Sequence, residues 1–346
     1  MILSKMTNSV AEFNNLQILD LAKTKMEFFV EQGQLIPVHL GKNATAIFKN
    51  YKTPITIPEV SHTRTGNYFY WYTIPLVNYY HMLLDGVGCL TRYFELRKTV
   101  PNLKLIVNCN PRPKGGIVKH PPFVEELLQL LDIDYEFSDE NTVYERVYFG
   151  DTIGQDHRRK RARPTAAQYH LLQQCIERAK IRAHVEQYDN VYLSRRAHAN
   201  PLSDRKAVIG EDNTVKRGLT NEDEVVDILT GLGYTEVFGE NYTLAEKIVL
   251  FNGMKKYIST AGAGVANILW TMPNSVSVGG IHSAGFPFPG DKHETHICCN
   301  KTFLNATINL YHGKTLFVDP AAGARNYNSP WYINNLVAFK QWAAQI

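Results

Sequence analysis

A chain of 346 residues is longer than one hydrophobic core usually serves, so two domains are expected. With 44% hydrophobic and 20% charged residues, the composition excludes a disordered or fibrous protein. A net charge of +4 and a pI of about 8.6 suit an anionic small ligand and do not single out nucleic acid.

The opening segment, MILSKMTNSVAEFNNLQILDLAK, has no continuous apolar run, and no later stretch approaches the ~18 apolar residues of a membrane span. A cytoplasmic protein without signal peptide, anchor or transmembrane segment is expected. Residues 26 to 76 are rich in aromatic and β-branched residues broken by Gly, Pro and Asn, which predicts short strands. From Asn78 to Lys98 the apolar spacing becomes helical. LKLIVN (103 to 108) reads as a strand, and Pro121-Pro122 opens the helix FVEELLQLLD. The basic segment 154 to 164 interrupts this series, and a long helix is predicted from Thr165 to about Val185.

A second alternating series follows. NVYLSR, TEVF, KKYIST and SVSVGGI read as strands, with NEDEVVDILTGLGY, TLAEKIVLFNGM and GVANILWTM as the helices between them. Such alternation predicts a parallel sheet with ligands at the carboxyl ends of its strands. The expected division is an N-terminal α/β domain over 1–160, a second Rossmann-like domain over 161–328, and a last helix, within 329–346, packing back on the first domain.

Candidate chemistry concentrates in the second series. In KKYISTAGAGVANILW a strand ends at Ser259-Thr260, and the small turn Ala261-Gly262-Ala263-Gly264 leads into a helix carrying Asn267. Free backbone N–H groups and a positive helix end suit a diphosphate there, although glycines also serve close packing. Arg195-Arg196 ends the strand NVYLS, and Arg217 precedes the next helix, positions suited to bidentate phosphate contact. Thr220 with Asp223 and Thr243 with Glu246 have capping-box spacing, and Glu246 is also placed to meet a ribose hydroxyl. In the first domain His81 and Asp85 stand four apart on one helix face, as a general base and its partner or as a hydrogen-bonded structural pair.

NYYHMLLD, YLSRR, RGLTNEDEVVDILTGLGYTEV and TLAEKIVLFNGMKKYISTAGAGVANILW occur in this order over roughly residues 76 to 280. In this the chain resembles glycosyltransferase family 61, which includes plant β-1,2-xylosyltransferases and animal O-linked N-acetylglucosaminyltransferases. The resemblance implies a GT-B fold of two Rossmann-like domains facing across a cleft, with inverting, metal-independent transfer of sugar. The donor would be a nucleotide sugar, UDP-linked by expectation, and the acceptor a glycan or glycoconjugate hydroxyl. By that resemblance Arg195, Arg217 and the turn Ala261 to Gly264 hold the nucleotide diphosphate. The family's histidine-glycine-alanine turn reads Ala261-Gly262-Ala263 here, and its Glu-Gln reads Glu246-Lys247. A catalytically silent nucleotide-sugar or glycan binder is the alternative that the missing histidine suggests.

Asp132-Ile133-Asp134 matches a metal-binding Asp-x-Asp triplet but reads as a helix-to-strand connection. His282, His293, His296 and Cys298-Cys299 lack the spacing of a helical zinc site. No metal or other cofactor is expected. Five cysteines, an odd number, argue against a disulfide framework. The run from His157 to Arg163 reads as a solvated basic loop with no RNA-stacking motif beside it.

Overall fold

The computed structural model describes residues 10–21, 26–31, 34–36, 57, 59–71, 79–107, 121–138, 141–150, 166–196, 219–260, 262–271, 275–283, 307–315 and 331–346. The chain divides into two compact units, Met1–Ile153 and Gly154–Ile346. The basic run from His157 to Arg163, Arg217, Ala261 and the histidine-cysteine stretch from His293 to Cys299 lie outside the described residues.

The first unit holds strands β1 (Val10–Leu21), β2 (Met26–Glu31), β3 (Gln34–Ile36), β4 (His62–Trp71), β5 (Lys104–Val107), β6 (Tyr135–Phe137) and β7 (Thr142–Gly150). They form one sheet in the order β3-β2-β1-β7-β4-β5-β6. The stretch β7-β4-β5-β6 is parallel, and β1, β2 and β3 extend it antiparallel. Strand β1 was not anticipated. Its buried residues Phe13, Leu16 and Ile18 break the two-residue alternation because Asn15 passes through left-handed backbone at φ 53°.

One face of this sheet packs Phe13, Leu16, Tyr70, Ile106, Tyr144 and Phe149 together. The alternate residues Phe69, Trp71, Leu105 and Val107 are also fully buried. Helix α1 (Val87–Leu96) covers that second face, with Tyr93 edge-on to Phe69 at 5.8 Å. Helix α2 (Pro122–Leu130) has proline in its first turn, as expected, and buries Val124, Leu127, Leu128 and Leu130.

The second unit contains α3 (Ala166–Arg182), β8 (Asn190–Leu193), α4 (Glu222–Gly231), β9 (Thr235–Val237), α5 (Leu244–Asn252) and β10 (Lys256–Thr260). A 3-10 run, Ala263–Trp270, then precedes β11 (Ser277–Ser283), β12 (Thr307–Thr315), β13 (Trp331–Tyr332) and α6 (Leu336–Gln345). The sheet order is β13-β12-β11-β10-β8-β9. All neighbours are parallel except β13, which lies antiparallel on β12. Chain order therefore reverses between β8 and β10, the topological switch point of a doubly wound sheet.

Tyr192 and Ile258 face a core built with Val225 and Leu229 of α4 and Phe339 and Ala343 of α6. The C-terminal helix, expected to return to the first domain, packs here instead. Its apolar face is taken up by α4, and Asn221 exchanges two hydrogen bonds with the Ile333 backbone, at 2.9 and 3.0 Å. Gly279 lets the Trp342 ring lie on β11, since a β-carbon there would stand 2.9 Å from it. The opposite face carries Tyr257, edge-on to Phe251 of α5 at 5.9 Å.

The segment GVANILWTM, predicted as an α-helix, is wound as a 3-10 run. The Tyr257 hydroxyl donates to the Gly264 carbonyl at 2.8 Å, taking an acceptor that the first α-helical turn would use. Among the described residues no helix is long and apolar enough to cross a membrane.

Candidate active site

Two chain segments leave the second sheet at its carboxyl edge on either side of the switch point. One is Ser194-Arg195-Arg196 after β8; the other is the turn after β10. A crevice of this kind is where doubly wound sheets bind ligands.

Past the end of β8 each backbone N–H needs a partner outside the ladder, and each has one. Ser194 N–H donates to Val237 O at 3.0 Å. Arg195 N–H donates to Glu222 Oε1 at 3.0 Å, and Arg196 N–H donates to Ser194 Oγ at 3.1 Å. The same Glu222 oxygen accepts from the Tyr192 hydroxyl at 2.7 Å and the Ser194 hydroxyl at 2.8 Å. Glu222 is the first residue of α4 and only 4% exposed. Burial, followed by the Glu222 charge, drives the Tyr192 hydroxyl well above its ordinary pKa.

The two arginines diverge. Arg196 pairs with Glu236 through Nε at 2.8 Å and through Nη2, and with Asp223 through Nη1. Asp223 is therefore an ion-pair partner, and the N-cap of α4 is Asn221, one residue after Thr220. Arg195, half-buried, lies against Gly262. Its guanidinium fills the space that a β-carbon on residue 262 would need, and its Cζ is 3.3 Å from that point. The φ of 165° at Gly262 is ordinary extended backbone, so clearance alone calls for glycine. Gly264 is similar, with Leu193 Cδ2 in the way of a β-carbon.

Beneath the turn Tyr257 is fully buried, and burial pushes its hydroxyl far above the usual tyrosine range. Ser259 and Asn267 hydrogen-bond to it and, with the charge of Arg195, oppose that rise. Asn267, a candidate ligand contact, is thus buried and bonded inside the protein. Glu246 likewise closes the capping box of α5, accepting from Thr243 N–H at 2.8 Å. Arg196, Glu246 and Asn267 are engaged within the fold, and Arg195 and Gly262 meet at the edge.

In the first unit the helix bearing His81 and Asp85 follows β4. Its winding is α over Tyr79–His81, π over Met82–Gly86 and α again from Val87. Trp71, the last residue of β4, donates its indole N–H to the Gly86 carbonyl at 2.9 Å, which holds the π segment at the carboxyl end of that strand. The side chains of His81 and Asp85 lie outside the described residues. Asp132 and Asp134 precede β6 in a turn, with Asp132 at φ 56°, and so stand at the amino edge of the parallel strands. Among the described residues no three His, Cys, Asp or Glu side chains converge as a metal site. Cys89 and Cys175 are buried free thiols.

Sequence reasoning missed Glu222, Tyr257 and Thr260. Thr260 is 2% exposed, and its Oγ1 has no hydrogen-bond partner among the described residues. The only advance signals were an acidic first helical turn and a polar end to a buried strand.

Comparison with curated proteins finds no match. The family model described as Glycosyltransferase 61 matches residues 79–278, more than half of the chain. The match runs from the π-wound helix of the first unit through β8, α4, β10 and the glycine turn into β11. The chain therefore belongs to glycosyltransferase family 61 and is a glycosyltransferase.

Proposed function

We propose that this enzyme, of GT-B type, transfers a sugar with inversion from a nucleotide sugar, UDP-linked by preference, to a hydroxyl of a glycan or glycoconjugate. The observation that carries the donor site is the meeting of Arg195 and Gly262 at the switch point of the second sheet. A guanidinium held against a small-residue turn offers planar charge and backbone N–H groups to the same diphosphate. Arg217 and Ala261 join this site by family resemblance.

As the glycosidic bond to the nucleotide breaks, negative charge grows on the leaving diphosphate. Arg195 and the turn stabilise it there without a bound cation. The acceptor hydroxyl attacks the anomeric carbon from the opposite face, and His81 or Asp85 of the first unit takes its proton. By the resemblance, Ala261 stands where the family has a histidine, which removes one polar contact to the donor.

Release of nucleoside diphosphate from a panel of nucleotide sugars, with a glycan acceptor mixture and EDTA present, tests this reading. Turnover with one nucleotide sugar, giving a product of inverted anomeric configuration by NMR, is expected. Turnover that appears only after adding a divalent cation, or a retained configuration, overturns it.

A further inference from the structure

We infer that Glu222 is a positioning residue for donor binding, which sets the direction in which Arg195 leaves β8. The inference rests on the donor-site reading above. Four observations carry it. The carboxylate is buried, at 4% exposure. One of its oxygens gathers three donors, Tyr192 O–H at 2.7 Å, Ser194 O–H at 2.8 Å and Arg195 N–H at 3.0 Å. Ser194, so held, accepts in turn from Arg196 N–H at 3.1 Å. Finally, the Arg195 side chain lies in a space that is open only because residue 262 has no β-carbon.

A buried carboxylate is costly to keep unless its hydrogen bonds are complete, and apolar packing would fasten a strand to a helix as well. What apolar packing cannot do is accept the Arg195 amide. Strand β8 ends at Leu193, so this amide has left the ladder, and its partner fixes the peptide plane on which the Arg195 side chain is mounted. Glu222 does so from the first residue of α4, the same helix whose Asp223 pairs with Arg196. One helical turn therefore sends the two adjacent arginines to different tasks, Arg196 into an ion-pair brace and Arg195 onto the glycine turn.

The test is calorimetric titration with UDP, GDP, ADP, CDP and TDP, in EDTA and well below the melting temperature of each variant. Glu222→Ala should weaken the tightest of these about 10-fold, the scale of one hydrogen bond to a charged group. Glu222→Gln, whose amide oxygen still accepts from the Arg195 N–H, should restore most of that loss. Tyr192→Phe removes a bond to the same oxygen without touching Arg195, so it should lower the melting temperature and leave the affinity within about 2-fold. In an Arg195→Ala background Glu222→Ala should have almost no further effect on affinity, because the two act as one unit. Should Glu222→Ala not fold, Glu222→Asp, a methylene short of the amide, reads the same quantity. An unchanged affinity in Glu222→Ala, or an undiminished loss in the Arg195→Ala background, overturns the positioning role and leaves the donor site standing. No binding of any nucleoside diphosphate by the wild-type protein overturns the donor site and this inference with it.

Discussion

The Arg195 guanidinium occupies the space of the missing β-carbon of Gly262, with its Cζ 3.3 Å from where that carbon would stand. Because backbone φ at Gly262 is extended and the obstructing atoms end a flexible side chain, Gly262→Ala strains little. The melting temperature should move by less than about 2 °C. The arginine must swing away, however, and nucleoside diphosphate affinity should fall about 10-fold or more, as when one charge-assisted contact is lost. Titration of the variant beside a thermal melt checks both halves. A large fall in stability with unchanged affinity would contradict the assignment.

Arg195 and Arg196 are adjacent in sequence and should behave oppositely. Glu236, whose side chain is 15% exposed, keeps Arg196 as its partner. Arg196→Ala removes a hydrogen bond from each oxygen of that carboxylate and should cost about 1–2 kcal/mol of stability. Arg195→Ala should weaken diphosphate binding about 10-fold or more while leaving it measurable. Thermal melts with and without nucleotide separate the two.

The Thr260 hydroxyl is buried at the carboxyl end of β10 with no bond among the described residues. Removing an unpaired buried hydroxyl while keeping its shape relieves a desolvation penalty. Thr260→Val should therefore raise stability by about 1 kcal/mol, or about 2–4 °C for a unit of this size. A lower melting temperature would reveal a partner for that oxygen.

Three buried tyrosines make the second unit sensitive to alkali. Burial pushes Tyr234 up to about 12, and also raises Tyr192 and Tyr257 well above the ordinary tyrosine range. An unfolded tyrosine releases its proton near pH 10, at about its ordinary pKa, while the folded one keeps it. The unfolded state thus binds fewer protons between those values, and stability, level below pH ~10, falls as pH rises toward the folded pKa. Tyr234→Phe gives up only a 3.4 Å bond to Ala343 O and should flatten part of that fall. Urea melts from neutral to strongly alkaline pH measure it; a slope identical in the variant would contradict the assignment.

The alternation of strands and helices from Asn190 onward was legible because each element carries its own punctuation. Gly233 ends the turn after α4 at φ 81°, and Thr243 with Glu246 opens α5 with a complete capping box. What the sequence hid depends on contacts distant along the chain. Nothing local distinguishes Arg195 from Arg196, since the difference lies in Glu236, forty residues away. Thr220-x-x-Asp223 has the same spacing as the real cap at Thr243, yet the N-cap of α4 is Asn221 and Asp223 pairs with Arg196. Glu222 resembled any acidic residue in a first helical turn, and its three donors all come from the end of β8. The C-terminal helix gave an apolar face but no address; α4 supplied it.

The most direct measurement is hydrogen–deuterium exchange of the wild-type protein, with and without the tightest-binding nucleoside diphosphate, in EDTA. Protection concentrated in peptides covering residues 193–196 and 260–267, and lost in Arg195→Ala, is the result this account predicts. Binding that leaves those peptides unchanged while protecting the first unit would place the donor elsewhere and contradict it.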